Sequence, residues 1–292
     1  MSNVEYAREW KKGVPSSWKS IGMPRHLVRH VALSAMATFD RTAEPRFLRC
    51  LYCHYVFDDQ RQRFETLLLR LMKLGSFVDT DTCLAMLHGT REIDGRHFHL
   101  SFDDGFRNVL QNALPILRQY GIPSLVFVPT ALMNASPEAV REYCLKTTKY
   151  ARVIELSTWE DLRSALADKC EVGSHTRTHA RLADLSRSPE RLRSEIEGSK
   201  RDIEEHLGVE CKYVAWPFGR ITDINEDVLA AVRLAGYRGC FGAFRGSIVP
   251  AATDAFCIPR HHVEVQWPLA HTEYFARGKM ERWWENPPRE AH

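Results

Sequence analysis

The sequence predicts a single α/β domain in which a parallel sheet is closed, or nearly closed, into a barrel. Short apolar runs typical of buried strands alternate along the chain with segments of helical periodicity. Polar motifs directly follow several of these strands, and the carboxyl ends of the strands carry the chemistry in such barrels. The 292 residues can bury one large core, so the length suits one barrel with extensions better than two independent domains.

The first half of the chain supplies three predicted strands. The run 47–56 is the first, and the helix after it has Gly75 just past its end. A strand ending at Phe102 and the apolar run 124–128 follow. Between them, helical positions are interrupted or restarted at Pro115. The apolar helix positions are Phe64, Leu67, Leu68 and Leu71 in the first helix and Leu110, Leu114 and Leu117 in the second.

The second half repeats the pattern after a polar stretch, residues 131–156, which we expect to be an irregular insertion over the barrel mouth. The clearest helix begins with Ser188 as its cap and Pro189 in its first turn, and ends before Gly208. Strands are predicted near Cys240 and Cys257. Helical faces are formed by Trp159, Leu162 and Leu166, by Leu192, Ile196, Ile203 and Leu207, and by Val228, Ala231 and Val232.

Two adjacent carboxylates end one of these strands. Asp103 and Asp104 point in opposite directions if the strand continues, so they can serve two different functions. Gly105 permits the sharp turn that follows. Taken alone, the Asp-Asp-Gly sequence is explained equally well by a plain turn.

A pair of histidines about seventy residues later changes that interpretation. His175 and His179 are four residues apart and would share one face if the segment were helical. Two imidazoles and one carboxylate make a three-ligand site for a divalent ion, with a position left open for water. His-x-x-x-His alone is weak evidence in a chain with 13 histidines, but together with Asp-Asp-Gly it predicts a metal site.

The segments 101–105 (Ser-Phe-Asp-Asp-Gly) and 174–179 (Ser-His-Thr-Arg-Thr-His) resemble the first two motifs of the polysaccharide deacetylase family, also called the NodB-homology or carbohydrate esterase 4 family. Residues 213–219, Tyr-Val-Ala-Trp-Pro-Phe-Gly, resemble its third motif. The resemblance extends from about residue 48 to about residue 265. It implies a distorted (β/α) barrel of about seven strands, which we divide into an N-terminal extension (1–45), the barrel (46–270) and a C-terminal tail (271–292).

The resemblance assigns roles to the motif residues. Asp104, His175 and His179 are the expected ligands of one divalent metal, with Zn²⁺ preferred and Co²⁺, Ni²⁺ or Mn²⁺ as alternatives. Such an ion acidifies bound water and polarises a carbonyl oxygen. By resemblance Asp103 is the base and the backbone N–H of Phe218 helps hold the oxyanion. We include two neighbours in that oxyanion and substrate loop, Trp216 and Pro217.

The family's acid is a histidine on a late strand, where this chain has two candidates, His261 and His262. Only one can face the metal, because neighbours on a strand point to opposite faces. We favour His262, since Arg260 shares its parity and could orient Asp103 through a charge-assisted hydrogen bond. Ala215 stands where many members carry an arginine, and we find no match to the fourth motif, so the partner that tunes the acid is unassigned. His54 either reaches the rim of the site or packs in the core.

The expected function is hydrolysis of an N-acyl group, acetyl or formyl, from an amino sugar of a bacterial surface glycan or its lipid-linked precursor, of the lipopolysaccharide O-antigen type. The rivals are a metal amidase acting on a small non-sugar amide and a catalytically idle barrel that binds a glycan. A net charge of +3 is too small to predict nucleic-acid binding.

The composition also bears on location. No apolar run approaches the roughly 18 to 20 residues of a membrane span, and residues 1–19 contain no continuous apolar stretch. These features, with eight scattered cysteines, predict a cytoplasmic protein. Cys50 and Cys53 form a lone Cys-x-x-Cys, which weakly indicates structural zinc. The segment 277–284 suits either a packed C-terminal helix, which we favour, or peripheral contact with a membrane.

Overall fold

The computed structural model describes residues 5–15, 31–36, 39 and 44–279, and it confirms the predicted α/β barrel. The strands are β1 (Phe47–Cys53), β2 (Ser76–Phe77), β3 (Arg96–Phe102), β4 (Ser124–Val128), β5 (Cys170–Ser174), β6 (Tyr213–Ala215), β7 (Gly239–Phe241) and β8 (His261–His262). The α-helices whose two ends both lie among the described residues are Trp10–Gly13, Arg61–Leu74, Thr80–Leu87, Leu114–Gln119, Pro137–Glu142, Trp159–Leu166, Pro189–Leu207, Glu226–Leu234 and Leu269–Ala276.

Seven of these strands form one curled parallel sheet in the order β7-β6-β5-β4-β3-β1-β8, and β2 pairs with the beginning of β3. The two outer strands approach each other through a parallel bridge between Phe241 and Ile258, three residues before β8. The sheet is therefore nearly closed. Since all ladders are parallel, the carboxyl ends of the strands meet at one end of the barrel.

The alternation of side chains along β1 separates two apolar clusters. The odd positions, such as Phe47 and Leu51, pack in the larger cluster with the helix Arg61–Leu74. The even positions Leu48 and Cys50 pack inside the curled sheet with residues of β4, β6 and β7. The helix Thr80–Leu87 contributes four of its residues to this inner cluster and closes the amino-terminal end of the barrel.

The predicted helices are present with small differences at their ends. The chain restarts as a regular helix at Leu114, with Pro115 in its first turn, after one wider turn at 109–113. Ser188 occupies the N-cap position of the longest helix, although its hydroxyl makes no capping hydrogen bond, and Gly208 ends that helix with φ 69°. This left-handed conformation is one that glycine adopts without steric cost.

Two strand predictions are corrected. The first strand ends at Cys53 rather than at residue 56. No strand of the described chain contains Cys257, where the backbone turns and makes only the single bridge at Ile258. Instead, the last strand is the dipeptide His261–His262, which pairs with Leu51 and Tyr52 of β1.

The segment 131–156 is more regular than its polarity predicts. It contains the helix Pro137–Glu142, capped by the side chain of Ser136, and a wide turn over 143–147. Tyr143, Cys144 and Tyr150 are buried. Burial of these three side chains holds the segment in a regular conformation. The average polarity of the segment does not reveal them.

The described part of the N-terminal extension packs on this insertion and on the barrel. The N–H of Ala7 donates to the carbonyl of Val153 at 2.8 Å, and the N–H of Ala151 donates to the carbonyl of Gly13 at 2.9 Å. The other parts of the predicted extension, 1–4, 16–30, 37–38 and 40–43, lie outside the described residues.

The helix Leu269–Ala276 crosses the predicted boundary at residue 270. Its Glu273 forms an ion pair with Arg70 at 2.8 Å, so the beginning of the tail packs against the barrel. Of the segment 277–284, only 277–279 is described; the remaining residues, including both tryptophans of the predicted tail, lie outside the described part. Among the described helices, none combines the length and the apolar character needed to cross a bilayer.

Candidate metal centre and active site

Polar side chains from five strand ends meet at the carboxyl-terminal end of the barrel. Asp103 and Asp104 follow β3, and His175 follows β5. The loop 216–219 follows β6, while His54 follows β1 and His262 ends β8. All of these positions line one open cleft of about 550 Å³, except for Pro217, which is buried within its loop. The site predicted from the sequence is thus brought together at the expected end of the barrel.

The three predicted metal ligands converge on a single point. The Nε2 atoms of His175 and His179 lie 3.7 and 3.3 Å from Oδ1 of Asp104. Three ligands held tetrahedrally at about 2.1 Å from one ion are separated by about 3.4 Å. Each of the three side chains is at most 5% exposed. The observed spacing is therefore that of ligands around one cation.

The hydrogen bond of His175 determines which of its nitrogens is available to a metal. Its Nδ1 lies 2.8 Å from the carbonyl oxygen of Ala215, so Nδ1 carries the proton that is donated. Burial lowers the pKa of His175 to about 4, which keeps the ring neutral near pH 7. The lone pair of Nε2 then faces a carboxylate oxygen with no proton between them. A cation at this point would relieve that repulsion, so the donor set fits a divalent metal.

The two histidines are held by a loop, and the helical alternative for this segment is wrong. Residues 175–179 follow β5 without helical hydrogen bonding, and Thr176 and His179 both have φ 62°. The buried carboxylate of Glu195, on the longest helix, accepts hydrogen bonds from the backbone N–H groups of Arg177 and Thr178 at 3.0 and 2.8 Å. Glu195 was not predicted from the sequence. The one feature of the sequence that could have indicated it is a carboxylate next to the apolar face of that helix.

Asp104 is also held in an uncommon backbone conformation, with φ 71°. Such left-handed non-glycine residues cost about 1–3 kcal/mol and are concentrated at functional sites. The hydroxyl of Tyr143 donates to Oδ1 of Asp104 at 2.7 Å. Tyr143 belongs to the insertion and was not predicted. Burial and the neighbouring carboxylate raise the pKa of Tyr143 well above its ordinary value, so the hydroxyl stays a donor.

Asp103 forms a bidentate ion pair with Arg260, as the shared parity of Arg260 and His262 suggested. The guanidinium donates to both carboxylate oxygens at 2.7 and 2.8 Å. It also donates to Oγ of Ser101 and to the carbonyl of Gly242 at 3.0 and 2.6 Å. Burial alone would raise the pKa of Asp103, but the charge and hydrogen bonds of Arg260 outweigh burial and lower it. Asp103 is therefore ionised at neutral pH.

The third-motif loop forms one wall of the cleft. Trp216 is 1% exposed, and its Nε1 donates to the carbonyl of Arg220 at 3.0 Å. Phe218 has φ 65° and is 40% exposed. Its ring lies 5.1 Å from that of His179. The buried tryptophan thus anchors a turn that presents the backbone of Phe218 and one aromatic face beside the predicted metal ligands.

The two late histidines point in opposite directions, as expected for neighbours on a strand. His261 is 1% exposed and does not line the cleft, whereas His262 does. Nε2 of His262 lies 3.2 Å from a carboxylate oxygen of Glu264. The hydroxyl of Tyr55 donates to the same carboxylate at 3.1 and 3.2 Å. Glu264 thus places a carboxylate beside His262 at the rim of the cleft.

His54 also lines the cleft, which resolves its two sequence interpretations in favour of the rim of the site. Its ring centroid lies 5.2 Å from that of His262. Burial lowers the pKa of His54. Among the described residues, the cleft therefore contains two imidazoles outside the Asp104, His175 and His179 cluster, and one of them, His262, lies beside a carboxylate.

Known structures with the same fold extend over most of the chain. IcaB from Ammonifex degensii is 23% identical, with a TM-score of 0.64, and the match covers 80% of this chain and 98% of that one. A de-N-acetylase from Aggregatibacter actinomycetemcomitans is 16% identical, with a TM-score of 0.65, and the match covers 78% of this chain and 99% of that one. At these identities the likeness establishes the fold.

Sequence comparisons establish the family. A putative polysaccharide deacetylase of Bacillus subtilis, YxkH, is 24% identical over 139 residues, which are 48% of this chain and 42% of that protein. The chain thus spans less than half the length of this relative. Residues 90–240 match the profile of the polysaccharide deacetylase family, and this match extends over the strand ends that carry the carboxylates and both triad histidines. The chain belongs to the polysaccharide deacetylase family.

Proposed function

We propose that this protein is a metal-dependent hydrolase that removes an N-acyl group, acetyl or formyl, from an amino sugar. The main support for the proposal is that the side chains of Asp104, His175 and His179 converge at the bottom of an open cleft. Beside them lies the ionised carboxylate of Asp103, which is bound by Arg260. Amide hydrolysis needs a polarised carbonyl, an activated water, a base and an acid, and the cleft has a group for each of these functions.

Asp104, His175 and His179 would hold the ion. Two imidazoles and one carboxylate suit Zn²⁺, and the same donors accept Co²⁺, Ni²⁺ or Mn²⁺. When bound, such an ion supplies a Lewis acid and lowers the pKa of a coordinated water. Tyr143 orients the carboxylate of Asp104 and Ala215 orients the ring of His175, as outer groups commonly do around metal ligands.

Asp103 is the proposed base. It lies next to a ligand in the chain, and Arg260 holds both of its oxygens, so its position is fixed while it accepts a proton from water. Because Arg260 lowers the pKa of Asp103, the base stays available over a wide pH range. The same guanidinium helps to stabilise the charge that develops in the site.

His262 is the proposed acid that protonates the leaving amine, because an amide anion is too basic to depart unaided. A carboxylate oxygen of Glu264 lies 3.2 Å from Nε2 of His262, close enough to orient the imidazole ring. Tyr55 fixes Glu264 from the other side. The backbone N–H of Phe218 is proposed to bind the oxyanion, in a loop held by the buried Trp216 and Pro217.

The substrate class is proposed from the cleft and the relatives together. The cleft volume of about 550 Å³ lies in the range of ordinary ligand sites, and the exposed ring of Phe218 offers an apolar face to a sugar. One structural neighbour is described as a de-N-acetylase. A surface glycan of the lipopolysaccharide O-antigen type, or its lipid-linked precursor, is the proposed substrate. The cytoplasmic location and peripheral membrane contact stay predictions.

Paired variants test the proposal. Asp103→Asn should abolish release of acetate or formate while the protein keeps its metal, because Asp103 is not a ligand. His175→Ala should lose both metal and activity. The substrate panel should contain N-acyl amino sugars, lipid-linked glycans and small non-sugar amides, which separates the amidase alternative. Asp103→Asn with near-native turnover would refute the assignment of the base, and binding of a glycan without release of any acyl group would favour the idle barrel.

A further inference from the structure

Three side chains of types that commonly bind metals lie close together inside the barrel, away from the cleft. Cys50 is on β1, His99 is on β3 and Cys83 is on the helix Thr80–Leu87 that closes the barrel's amino-terminal end. Their relative exposures are 1%, 2% and 0%. One donor atom from each lies within 4.8 Å of the donors of the other two. None of the three lines the cleft.

In this cluster the partner of Cys50 is Cys83, and not Cys53 as the Cys-x-x-Cys pattern in the sequence indicates. Cys50 and Cys53 are three residues apart on a strand, so their side chains lie on opposite faces of the sheet. Cys53 belongs to the outer apolar cluster and Cys50 to the inner one. The sulfur of Cys50 instead lies 3.6 Å from that of Cys83. The pair that matters is therefore distant in sequence.

We propose that Cys50, Cys83 and His99 form a second, structural metal site that takes a thiolate-binding divalent cation, Zn²⁺ above all. Thiolates and imidazole are the ligands that zinc prefers in structural sites. The proposal is independent of the function assigned to the cleft.

The distance between the two sulfurs suits this ion. Two thiolates bound tetrahedrally at about 2.3 Å from one zinc lie about 3.8 Å apart. The observed 3.6 Å requires almost no movement of either side chain. A disulfide would instead need the sulfurs to approach to about 2.05 Å. The arrangement is therefore closer to that of a shared ion than to that of a covalent bond.

His99 supplies the second line of evidence. Its Nε2 lies 3.0 Å from the hydroxyl oxygen of Thr80, which in turn donates to Glu171 at 2.7 Å. Its Nδ1 is buried and has no hydrogen-bond partner among the described residues. Buried polar atoms are rarely left unpaired, because desolvation without compensation is costly. A metal ion beside the sulfurs would satisfy this nitrogen.

The charge balance also favours a divalent cation. Two thiolates and a neutral imidazole around a divalent ion form a group with no net charge, which an apolar interior tolerates far better than a lone ion.

Burial gives the proposed ion a kinetic signature. A metal in the open cleft exchanges with solvent directly, whereas an ion at Cys50, Cys83 and His99 leaves only when the closing helix Thr80–Leu87 moves. A chelator applied to native protein should therefore remove the cleft metal first. The inner ion should leave only upon unfolding.

Cobalt substitution tests the site without any assay of activity. Protein produced in cobalt-supplemented medium should contain two equivalents of Co²⁺ and show the near-ultraviolet thiolate-to-cobalt charge-transfer band, to which the cleft ligands cannot contribute. Chelation of the native protein should remove one equivalent and leave the band. Cys83→Ala should lose the band and one equivalent. The matched control Cys53→Ala, at a buried cysteine on the same strand as Cys50, should keep both.

His175→Ala separates this proposal from the proposed function, because it should lose the cleft metal and retain the band. Wild-type protein with no thiolate band and at most one equivalent of cobalt would overturn the second site. The number of reactive thiols in protein denatured without reductant is a second test. If this number is two fewer than the eight cysteines, a disulfide is present and the second metal site is overturned.

Discussion

Replacing Arg260 by methionine should strongly destabilise the fold and should do so in a pH-dependent way. Arg260 is 0% exposed and donates four hydrogen bonds, two of them to the buried carboxylate of Asp103. Methionine fills part of the volume without a charge, so the variant leaves Asp103 ionised and without its partner. Removing one member of a buried ion pair costs about 3–5 kcal/mol. We expect a loss of this size in the free energy of unfolding at pH 7.

The sign of the pH dependence follows from the carboxylate. In the wild type the pKa of Asp103 is lowered, so its pairing stabilises the protein above the unfolded pKa of about 3.9 and this stabilisation is lost as pH falls through the folded pKa. In the variant, burial without Arg260 raises the folded pKa above the unfolded one. The destabilisation caused by the unpaired Asp103 carboxylate is then largest above that raised pKa and decreases as pH falls. The wild type and the variant should therefore differ most near pH 7 and least near pH 4.

Urea denaturation of chelator-treated proteins at several pH values measures both effects. Adding Asp103→Asn to Arg260→Met should recover much of the loss, because the unpaired charge is gone, and the double-mutant cycle gives the coupling. Arg107→Met is the matched control, since Arg107 pairs with Glu155 and Asp161 near the surface and should cost about 1 kcal/mol or less. A loss at Arg260 no larger than this control, or one independent of pH, would refute the reasoning.

Two further predictions concern groups that contact the proposed catalytic residues. Tyr143→Phe removes the hydroxyl that donates to Asp104 and should weaken zinc binding by about 10-fold or more. Competition with a zinc-binding dye measures the affinity, and Tyr150→Phe is the control. An unchanged zinc affinity in Tyr143→Phe would show that this hydrogen bond does not support the proposed ligand. Glu264→Gln removes the carboxylate that orients the ring of His262, so kcat should fall by up to about 100-fold, and an unchanged kcat would contradict the assignment of His262 as the acid.

The fold and the convergence of the proposed metal ligands could be predicted from the sequence because their signals are local. Strand and helix periodicities identify the barrel, and Asp104, His175 and His179 follow strand ends whose carboxyl termini must meet. Adjacent residues on a strand also point to opposite faces of the sheet, which is why His262 rather than His261 lines the cleft.

Residues that reach the site from distant segments could not be predicted. Tyr143 contacts Asp104 across 39 positions of the chain, from an insertion that its composition describes only as polar. Glu195 holds the histidine loop from the longest helix, 18 positions beyond Arg177 in the chain. Nothing local relates the carboxylate of Glu195 to that loop, because only the packing of the helix against β5 brings the two together.

The contact between Cys50 and Cys83 has the same origin. Thirty-three positions separate the two cysteines, and they meet only because the helix Thr80–Leu87 closes the barrel. The sequence instead draws attention to the nearby pair Cys50 and Cys53, which strand parity separates. Long-range packing decides each of these contacts, and local patterns do not encode it.

The most direct test of the central claim is reversible loss of acyl release upon removal of the metal. Wild-type protein should release acetate or formate from an N-acyl amino sugar, lose this activity with a chelator, and regain it when one equivalent of Zn²⁺ binds at Asp104, His175 and His179. The variant His175→Ala should not regain it. Acyl release that persists after the cleft metal is removed, or that returns equally in His175→Ala, would contradict the account.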